Sequence, residues 1–323
     1  MTRSERRAAR IAVDLLGGDD SPAVVVDGAL LAVGADPHLH LHLIGPVEVV
    51  EQVRSALPEG DRARVSAHPV RHAIGPADQA VRAVRGESTV RAAVAAVAHG
   101  EADGAVSAGS TGALVTAAAV MLGRLPGVRR PALAATLPAV EGPVLLLDVG
   151  ASVDCGVPGL VGHAMLGVEY ARTVLGLVEP RVGLLSIGTE HGKGDRLRRA
   201  ADAALADTAL AEAGYRYVGN VEGYEVATGG RADVVVTDGF TGNVLLKGIE
   251  GAFTLAGGRM PRHRAPRAAA LLGVAGTVVA CHGAADASDI ASGIALAARL
   301  CRVDVVSPRG TGDAAPVDPL EVS

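Results

Sequence analysis

A lysine inside a glycine-rich loop is the first residue of this sequence with a clear chemical use. Residues 183–195 read GLLSIGTEHGKGD, with Lys193 between two glycines. The chain holds 30 Lys and Arg residues, and Lys193 and Lys247 are its two lysines. Because a lysine ammonium is a compact point charge on a flexible stem, arginine does not substitute for it at a close-fitting anion site. The loop is therefore a candidate anion-binding element.

Six further polar, glycine-rich clusters follow predicted strands. They are GGDD at residues 17–20, SAGSTGA at 107–113, DVGASVD at 148–154, GNVEGYE at 219–225, TDGFTGN at 237–243 and CHGAAD at 281–286. In a parallel sheet such loops emerge together at the carboxyl edge, where ligand crevices form. Several lead into predicted helices, whose N-termini offer free N–H groups and a partial positive charge. These clusters predict a cradle for a phosphate or a carboxylate.

Other catalytic and metal motifs have weaker support. The chain has no Walker P-loop, no dinucleotide-binding glycine fingerprint and no G-x-S-x-G elbow. His38, His40 and His42 alternate as on one face of a strand, which fits either a metal site or the exposed face of an edge strand. The absence of an accompanying Cys or carboxylate set favours the edge strand. Cys281 and His282 would point to opposite faces of a strand, which argues against a Cys–His nucleophile pair.

The elements that must position these residues predict an α/β fold. Short β-branched runs alternate with Ala-, Leu- and Arg-rich stretches, which indicates a mostly parallel sheet. Predicted strands cover residues 10–14, 39–44, 64–68, 104–107, 132–137, 143–148, 181–187, 215–218, 233–237 and 277–281, with helices at 89–99 and 195–213 among others. We expect one domain over residues 10–306, with disordered tails at 1–9 and 307–323.

Composition excludes several classes of function. The 323 residues are 49% hydrophobic but 2% aromatic, so the core must consist of Val, Leu, Ile and Ala. A net charge of −5 argues against nucleic-acid binding. No apolar run is long enough to span a membrane, and Asp14 interrupts the apolar stretch that follows the basic N-terminus, which does not fit a secretory signal. Cys155, Cys281 and Cys301 lack paired spacing and predict buried thiols in the reducing cytoplasm.

The order of the motifs resembles the PlsX family of phosphate acyltransferases. The motifs are VDLLGGDDSP, VSAGSTGAL, RPALAATLP, LLLDVGASVDC, VGLLSIGTEHGKGD, YVGNVEG, VVVTDGFTGNVLLKGIEG, LLGV and HGAAD, over about residues 11–298. The resemblance implies transfer of a fatty acyl group from acyl carrier protein (ACP) to inorganic phosphate, for phospholipid synthesis. It also implies a three-layer α/β/α sandwich similar to the phosphotransacetylases and the isocitrate and isopropylmalate dehydrogenases. Family members are usually homodimers associated with the inner membrane surface, so the resemblance implies a cytoplasmic protein that could form a homodimer and contact the membrane peripherally.

This reaction needs groups that hold phosphate while one of its oxygens attacks a thioester carbonyl, without a metal or another cofactor. The resemblance assigns Lys193 to the phosphate or the developing oxyanion, Asn243 to the tetrahedral intermediate or the phosphate, and Asp238 to holding Lys193 or its loop. The other expected phosphate- and substrate-binding residues are Asp14, Gly17, Gly18, Asp19, Ser110, Thr111, Gly112, Asp148, Thr189, Gly192, Asn220, Thr241, Lys247 and His282. Asp14 and Asp148 could instead cap turns at strand ends, and Lys247 could be a helix-surface cation.

The sequence also departs from the family pattern. Six changed polar positions are Asp20 in place of His, Ser110 and Ser152 in place of Asn, Tyr224 in place of Arg, and Ala284 and Ala285 in place of Ser. A long pair of helices is shortened to residues 252–270, which include a basic stretch at 259–267 suited to anionic lipid or to ACP. Two alternatives therefore stay open. One is a non-catalytic relative that still binds phosphate or acyl-ACP, and the other is a phosphotransacetylase-like enzyme that uses acyl-CoA.

Overall fold

An 11-stranded sheet forms the centre of the molecule. The computed structural model describes residues 7–74, 86–207, 214–255 and 268–303. The strands are β1 (Ala9–Asp14), β2 (Leu39–Gly45), β3 (Val65–Pro69), β4 (Gly104–Ser107), β5 (Ala132–Leu137), β6 (Val144–Leu147), β7 (Arg181–Leu185), β8 (Arg216–Val221), β9 (Val234–Val236), β10 (Ala268–Leu272) and β11 (Thr277–Cys281). Their spatial order is β3-β2-β1-β4-β11-β10-β5-β6-β9-β7-β8.

Antiparallel pairings at the middle of the sheet divide it into two halves that run in opposite directions. Strands β1 to β4 and β11 are mutually parallel, as are β6 to β9. Strand β10 is antiparallel to β11 and β5, and β5 is antiparallel to β6. The expectation that all glycine-rich loops share one carboxyl edge is therefore wrong. Loops after β1, β4 and β11 leave one edge, and loops after β6 to β9 leave the opposite edge.

Helices cover both faces of the sheet. They are α1 (Ala23–Ala35), α2 (Val47–Ala56), α3 (Glu59–Arg62), α4 (Thr89–Ala98), α5 (Thr111–Met121), α6 (Val157–Thr173), α7 (Arg196–Leu205), α8 (Gly223–Thr228), α9 (Gly239–Leu255) and α10 (Ala287–Val303). One apolar core joins α1, α2, α6, α7 and α10 to one face, and α4, α5, α8 and α9 pack on the other. The three-layer α/β/α arrangement expected from the sequence is confirmed.

Glycine allows two helices to approach their neighbours closely. A Cβ added to Gly167 of α6 would lie 2.6 Å from Val234 Cγ1, and one added to Gly28 of α1 would lie 2.6 Å from Ile290. Both distances are far inside van der Waals contact, so a larger residue would force the layers apart at a cost of about 1–3 kcal/mol. The high glycine content thus serves packing as well as loops.

Several elements begin or end at residues other than those predicted from the sequence. Strand β1 begins at Ala9, inside the expected N-terminal tail, whereas residues 1–6 and 304–323 lie outside the described residues. The expected shortened segment 252–270 contributes the end of α9 and the start of β10, and residues 256–267 lie outside the described ranges. The helix predicted at 195–213 ends at Leu205. Within the described part of the chain, no helix combines the length and apolar character needed to cross a bilayer.

Candidate active site

The loops after β1 and β4 are joined by a buried carboxyl group. Ser107 Oγ donates to Asp14 Oδ2 at 2.7 Å and accepts from the Gly109 N–H at 3.0 Å. The Leu16 N–H donates to Asp14 Oδ1 at 3.1 Å. Burial raises the pKa of Asp14, and these hydrogen bonds oppose the rise only in part. Asp14 therefore caps the turn after β1 through the Leu16 N–H and joins the two loops through Ser107.

The loop after β11 adds to the same edge of the sheet. Asp19 donates its N–H to the Gly283 carbonyl at 2.8 Å, which ties the β1 loop to the β11 loop. A Cβ at Gly17 would lie 2.7 Å from the Gly109 nitrogen, so the β1 loop also packs directly on the β4 loop. Gly18 has a φ of +109°, which L side chains rarely adopt. The glycines of this edge are therefore required by the close approach of three loops.

The N-terminus of α5 offers donors at this edge. Ser110 is the N-cap and accepts from the Ala113 N–H at 3.4 Å. Among the described residues no acceptor is recorded for the N–H groups of Thr111 and Gly112, which begin the helix and have no intrahelical partner. These groups carry the positive end of the helix dipole and suit an anion.

Lys247 and His282 bring two more donors to the same place. His282 Nδ1 accepts from the Ala284 N–H at 3.1 Å, which puts the proton of the neutral ring on Nε2. Lys247 Nζ lies 3.1 Å from that Nε2. In this tautomer the ammonium and the ring N–H are both donors, so an anion beside the pair would accept from both. Both side chains are exposed and therefore accessible to a ligand.

At the opposite edge, Asp148 organises the loop after β6. Its Oδ1 accepts from the N–H groups of Leu133, Gly150 and Ala151 at 3.0, 2.9 and 2.8 Å. Its Oδ2 accepts from the Ser152 N–H at 2.6 Å. With no exposed surface and four donors, the carboxylate of Asp148 has no free position for a ligand. The structure supports its turn-capping role rather than contact with substrate.

This loop seats the first turn of α9. A Cβ at Gly242 would lie 2.0 Å from the Asp148 carbonyl oxygen, so the helix backbone rests directly on the loop. Asn243 Nδ2 donates to the Val149 carbonyl at 3.0 Å. An amide nitrogen has two hydrogens, so this bond fixes the side chain and leaves one N–H for another acceptor.

A pocket lies between α9 and the middle of the sheet. Its cavity volume is about 100 Å³, and it opens to solvent. Its apolar floor comes from β5, β10 and β11, and includes Leu133, Ala135, Leu137, Ala269 and Ala280. Its polar rim includes Thr111, Asn243 and His282. This lining suits a ligand with an apolar part and an anionic group at one end.

Asp238 has a different partner from the one expected. Its carboxylate accepts from the N–H and hydroxyl of Thr241 and forms an ion pair with Arg198 of α7. Burial works against ionisation, but the Thr241 hydrogen bonds and the Arg198 charge outweigh it and hold the pKa of Asp238 below its usual range. The expectation that Asp238 holds Lys193 is therefore wrong in this structure. Asp238 does hold its own loop.

Lys193 lies in an exposed loop after β7 and does not line the pocket. The Lys193 N–H and Asn220 Nδ2 both donate to the Glu190 carbonyl, at 3.2 Å each. Gly188 packs against the Lys193 side chain, because a Cβ there would lie 3.2 Å from its Cγ. No acceptor for the Lys193 ammonium is recorded within the described residues. The loop is thus shaped as expected, and its ammonium is available to an anion.

Comparison with known proteins decides the family. The sequence model of the family described as fatty acid synthesis protein matches residues 9–268. The phosphate acyltransferase of Granulibacter bethesdensis is 38% identical over 93% of this chain and 87% of its own length. That of Bacillus subtilis is 43% identical over 75% and 71%. The chain belongs to the PlsX family of acyltransferases.

A solved structure supports the fold of this PlsX family member. A phosphotransacetylase from Streptococcus pyogenes superposes with a TM-score of 0.67, covering 94% of this chain and 97% of that one. The two sequences are 17% identical, so the likeness concerns the fold alone. The fold and the family expected from the sequence motifs are confirmed.

The structure of this PlsX chain brings together some of the expected site residues and separates others. Thr111, Asn243 and His282 line one pocket, with Lys247 beside His282. Thr189 and Gly192 lie in the Lys193 loop, and Asn220 is hydrogen-bonded to that loop. None of these three residues lines the pocket. Arg198 was missed, because a cation near a helix start gives no sequence signal that it contacts Asp238, 40 residues later in the chain.

The cysteines are unsuited to nucleophilic catalysis in this PlsX family member. Burial raises the pKa of Cys281 to about 12 and that of Cys155 to about 11. The Cys281 sulfur packs towards Gly293 of α10, where an added Cβ would lie 2.4 Å from it, whereas His282 lies exposed beside Lys247. The expectation that Cys281 and His282 face apart is confirmed.

Proposed function

We propose that this chain transfers a fatty acyl group from acyl-ACP to inorganic phosphate and releases acyl-phosphate. The family and the names of the relatives support acyl transfer to phosphate, and the carrier protein and the product are the finer part of the proposal. The observation that carries it is the convergence of Thr111, His282 and Lys247 donors at the end of an apolar pocket. Phosphate needs such donors, and a fatty acyl chain needs the apolar floor.

The reaction can be written onto these residues. Phosphate held by Lys247, His282 and the α5 N-terminus uses one oxygen to attack the thioester carbonyl carbon. A C–O bond forms and the carbonyl oxygen becomes an oxyanion, to which the free N–H of Asn243 can donate. The C–S bond then breaks, the thiolate of the carrier leaves with the electron pair, and it takes a proton from solvent. Positioning and charge stabilisation account for this scheme without a covalent enzyme intermediate.

Lys193 keeps its proposed role as a second cation for the phosphate or the oxyanion. Its ammonium, which has no partner among the described residues, and its well-formed loop support this role, whereas the contact of Lys247 with His282, a residue of the pocket lining, favours Lys247 as the principal phosphate ligand. Lys193→Arg keeps the charge but changes its shape, and we expect a large loss of rate with little loss of stability. A rate near that of the wild type would refute the role of Lys193.

One assay tests the proposed function. Purified protein is incubated with acyl-ACP and phosphate, and acyl-phosphate is detected by mass spectrometry. No product above the enzyme-free blank, from protein with a folded circular dichroism spectrum, would contradict the proposal and favour a non-catalytic relative. A parallel reaction with acyl-CoA separates the donors, because faster turnover with acyl-CoA would indicate a phosphotransacetylase-like enzyme.

We also propose that the chain forms a homodimer through α9. Phe240 and Val244 lie one helical turn apart and are 62% and 57% exposed. Apolar side chains exposed together favour a protein contact. Sedimentation of the wild type and of Phe240→Ser tests this, and a wild-type monomer would contradict it. Peripheral contact with anionic membrane, expected from residues 259–267, is testable by co-sedimentation with anionic vesicles.

A further inference from the structure

Three metal-ligating side chains converge away from the loops of the acyltransferase pocket. They are His42 of β2, His68 of β3 and Glu101 in the turn between α4 and β4, and one ligand atom of each lies within 4.8 Å of the others. The His42 and His68 rings meet edge to face, with centroids 5.9 Å apart. His42 Nε2 lies 3.9 Å from Glu101 Oε2. Nothing in the acyl-transfer scheme uses these residues.

Strand register explains why the two histidines meet. His42 pairs with Ser66, and Ile44 pairs with His68, so His42 and His68 are diagonal neighbours on one face of the sheet. The expectation that the histidine-rich strand lies at the edge of the sheet is wrong, because β3 lies outside it. The third group, a carboxylate, comes from a turn that the sequence alone did not link to this strand.

The Glu101 turn is fixed to β1 at both sides. Arg10 donates its backbone N–H to Asp103 at 2.8 Å and its guanidinium N–H to the Gly100 carbonyl at 2.9 Å. Gly100 has a φ of +74°, which allows the tight turn after α4. The backbone of Glu101 is therefore held beside His42, whereas its side chain, 51% exposed, can still rotate.

The protonation of His42 prepares it to act as a ligand. When the Ser66 hydroxyl donates to the Leu41 carbonyl at 3.3 Å, its oxygen accepts from His42 Nδ1–H at 2.8 Å. The proton of the neutral ring is then on Nδ1, and the lone pair of Nε2 faces His68 and Glu101. Nε2 is buried and has no hydrogen-bond partner within the described residues.

The unpaired Nε2 atom of His42 also gives an energetic reason to bind a cation. A neutral ring whose buried acceptor lacks a donor is unfavourable, and a cation bound to Nε2 would remove that cost. The ring thus has the tautomer and the unmet lone pair of a metal ligand.

We propose that His42, His68 and Glu101 bind one first-row transition-metal cation, with Zn²⁺ as its occupant and water at the fourth position. Two imidazoles and one carboxylate suit Zn²⁺, whereas Mg²⁺ and Ca²⁺ prefer oxygen ligands alone. Tetrahedral bonds of about 2.0–2.1 Å bring the ligand atoms to about 3.3 Å from one another. The ligand atoms now lie within 4.8 Å of one another, so the exposed His68 and Glu101 side chains would rotate to reach that distance.

The site would act as a cross-link between β2, β3 and the α4–β4 turn. A cleft of about 390 Å³, lined by His68 and Glu101 among others, gives a metal ion access from solvent. A metal that binds the folded state and not the unfolded chain raises the unfolding temperature as its concentration increases. This role is independent of acyl transfer and does not depend on the proposed reaction.

Calorimetric titration of chelator-stripped full-length protein with Zn²⁺ tests the proposal. We expect one Zn²⁺ per chain and more than tenfold weaker binding in His68→Gln and in Glu101→Gln. Ser66→Ala should weaken binding about 10- to 100-fold, because the Ser66 hydroxyl orients the His42 ring. His40→Gln is the matched control, since it lies on the same strand outside the cluster, and its affinity should equal that of the wild type.

Thermal unfolding gives a second readout. Saturating Zn²⁺ should raise the unfolding temperature of the wild type and of His40→Gln by several degrees, and that of Glu101→Gln by clearly less. Equal affinity in the wild type and in folded His68→Gln would overturn the proposal, as would an equal loss in His40→Gln. Either result would mean that Zn²⁺ binds surface histidines without a defined site.

Discussion

Replacing Lys247 by methionine tests the anion site most directly. The change removes the ammonium that lies 3.1 Å from His282 Nε2 and keeps a side chain of similar length. A hydrogen bond from a charged donor contributes about 1.5–3 kcal/mol, and the exposure of Lys247 places its bond to phosphate at the low end. Since 1.4 kcal/mol is a factor of ten, phosphate binding should weaken by about tenfold.

The assay measures initial rates against phosphate concentration at a saturating acyl donor. We expect the KM for phosphate to rise about tenfold in Lys247→Met, with a smaller change in the KM for the acyl donor. Lys247→Arg should recover part of the loss, because it restores the charge but not its compact shape. Arg54→Met removes an exposed cation of α2, on the opposite face of the sheet, and serves as the control.

Two results would refute the reasoning about Lys247. An unchanged KM for phosphate in folded Lys247→Met would mean that its ammonium does not contact the anion. An equal rise in Arg54→Met would mean that the effect comes from net charge rather than from the position of the cation. If Lys193→Arg alone raised the KM, the phosphate would lie at the β7 loop instead.

Two substitutions and one alkylation experiment test other parts of the structure. Asp148→Asn places an amide NH₂ or a neutral oxygen against four N–H donors, and should lower the free energy of unfolding by at least about 2 kcal/mol in urea titrations. The folded pKa of Asp238 is lowered, so its contribution is present at neutral pH and is lost as pH falls through that value. Arg198→Met should therefore make the free energy of unfolding fall less steeply as pH is lowered. A pH profile of stability like that of the wild type would contradict the ion pair between Arg198 and Asp238. Cys281 should resist alkylation at pH 8 until the protein unfolds, because burial raises its pKa to about 12, and intact mass would show this.

Much of the sheet could be predicted from the sequence, since its strands are continuous apolar runs. The bounds predicted for β4, β5 and β11 match the structure, because both faces of these strands are buried. Strand β10 was missed. Its residues, AAALL, have high helix propensity, and their pairing with β5 and β11 overrides it.

Strand direction could not be predicted, and it determines which loops lie at which edge of the sheet. An apolar run carries no signal for parallel or antiparallel pairing, so the loops were expected at one edge. The ion pair between Arg198 and Asp238 was missed for a similar reason, because it depends on how α7 packs beside the loop before α9. In contrast, the loop sequences around Thr111, Asn243 and His282 did indicate residues of one pocket.

The reversal of direction makes α9 the element that connects the two edges. Asn243 is bound to the loop after β6 at one edge, and Lys247 contacts His282 of the loop after β11 at the other. Four residues advance a helix by about 6 Å. An attacking phosphate oxygen lies about 3–3.5 Å from the carbonyl carbon, so phosphate at Lys247 and an oxyanion at Asn243 are compatible with one reacting complex. One helix can therefore hold both the nucleophile and the developing charge in register, while the acyl chain occupies the apolar floor beneath it.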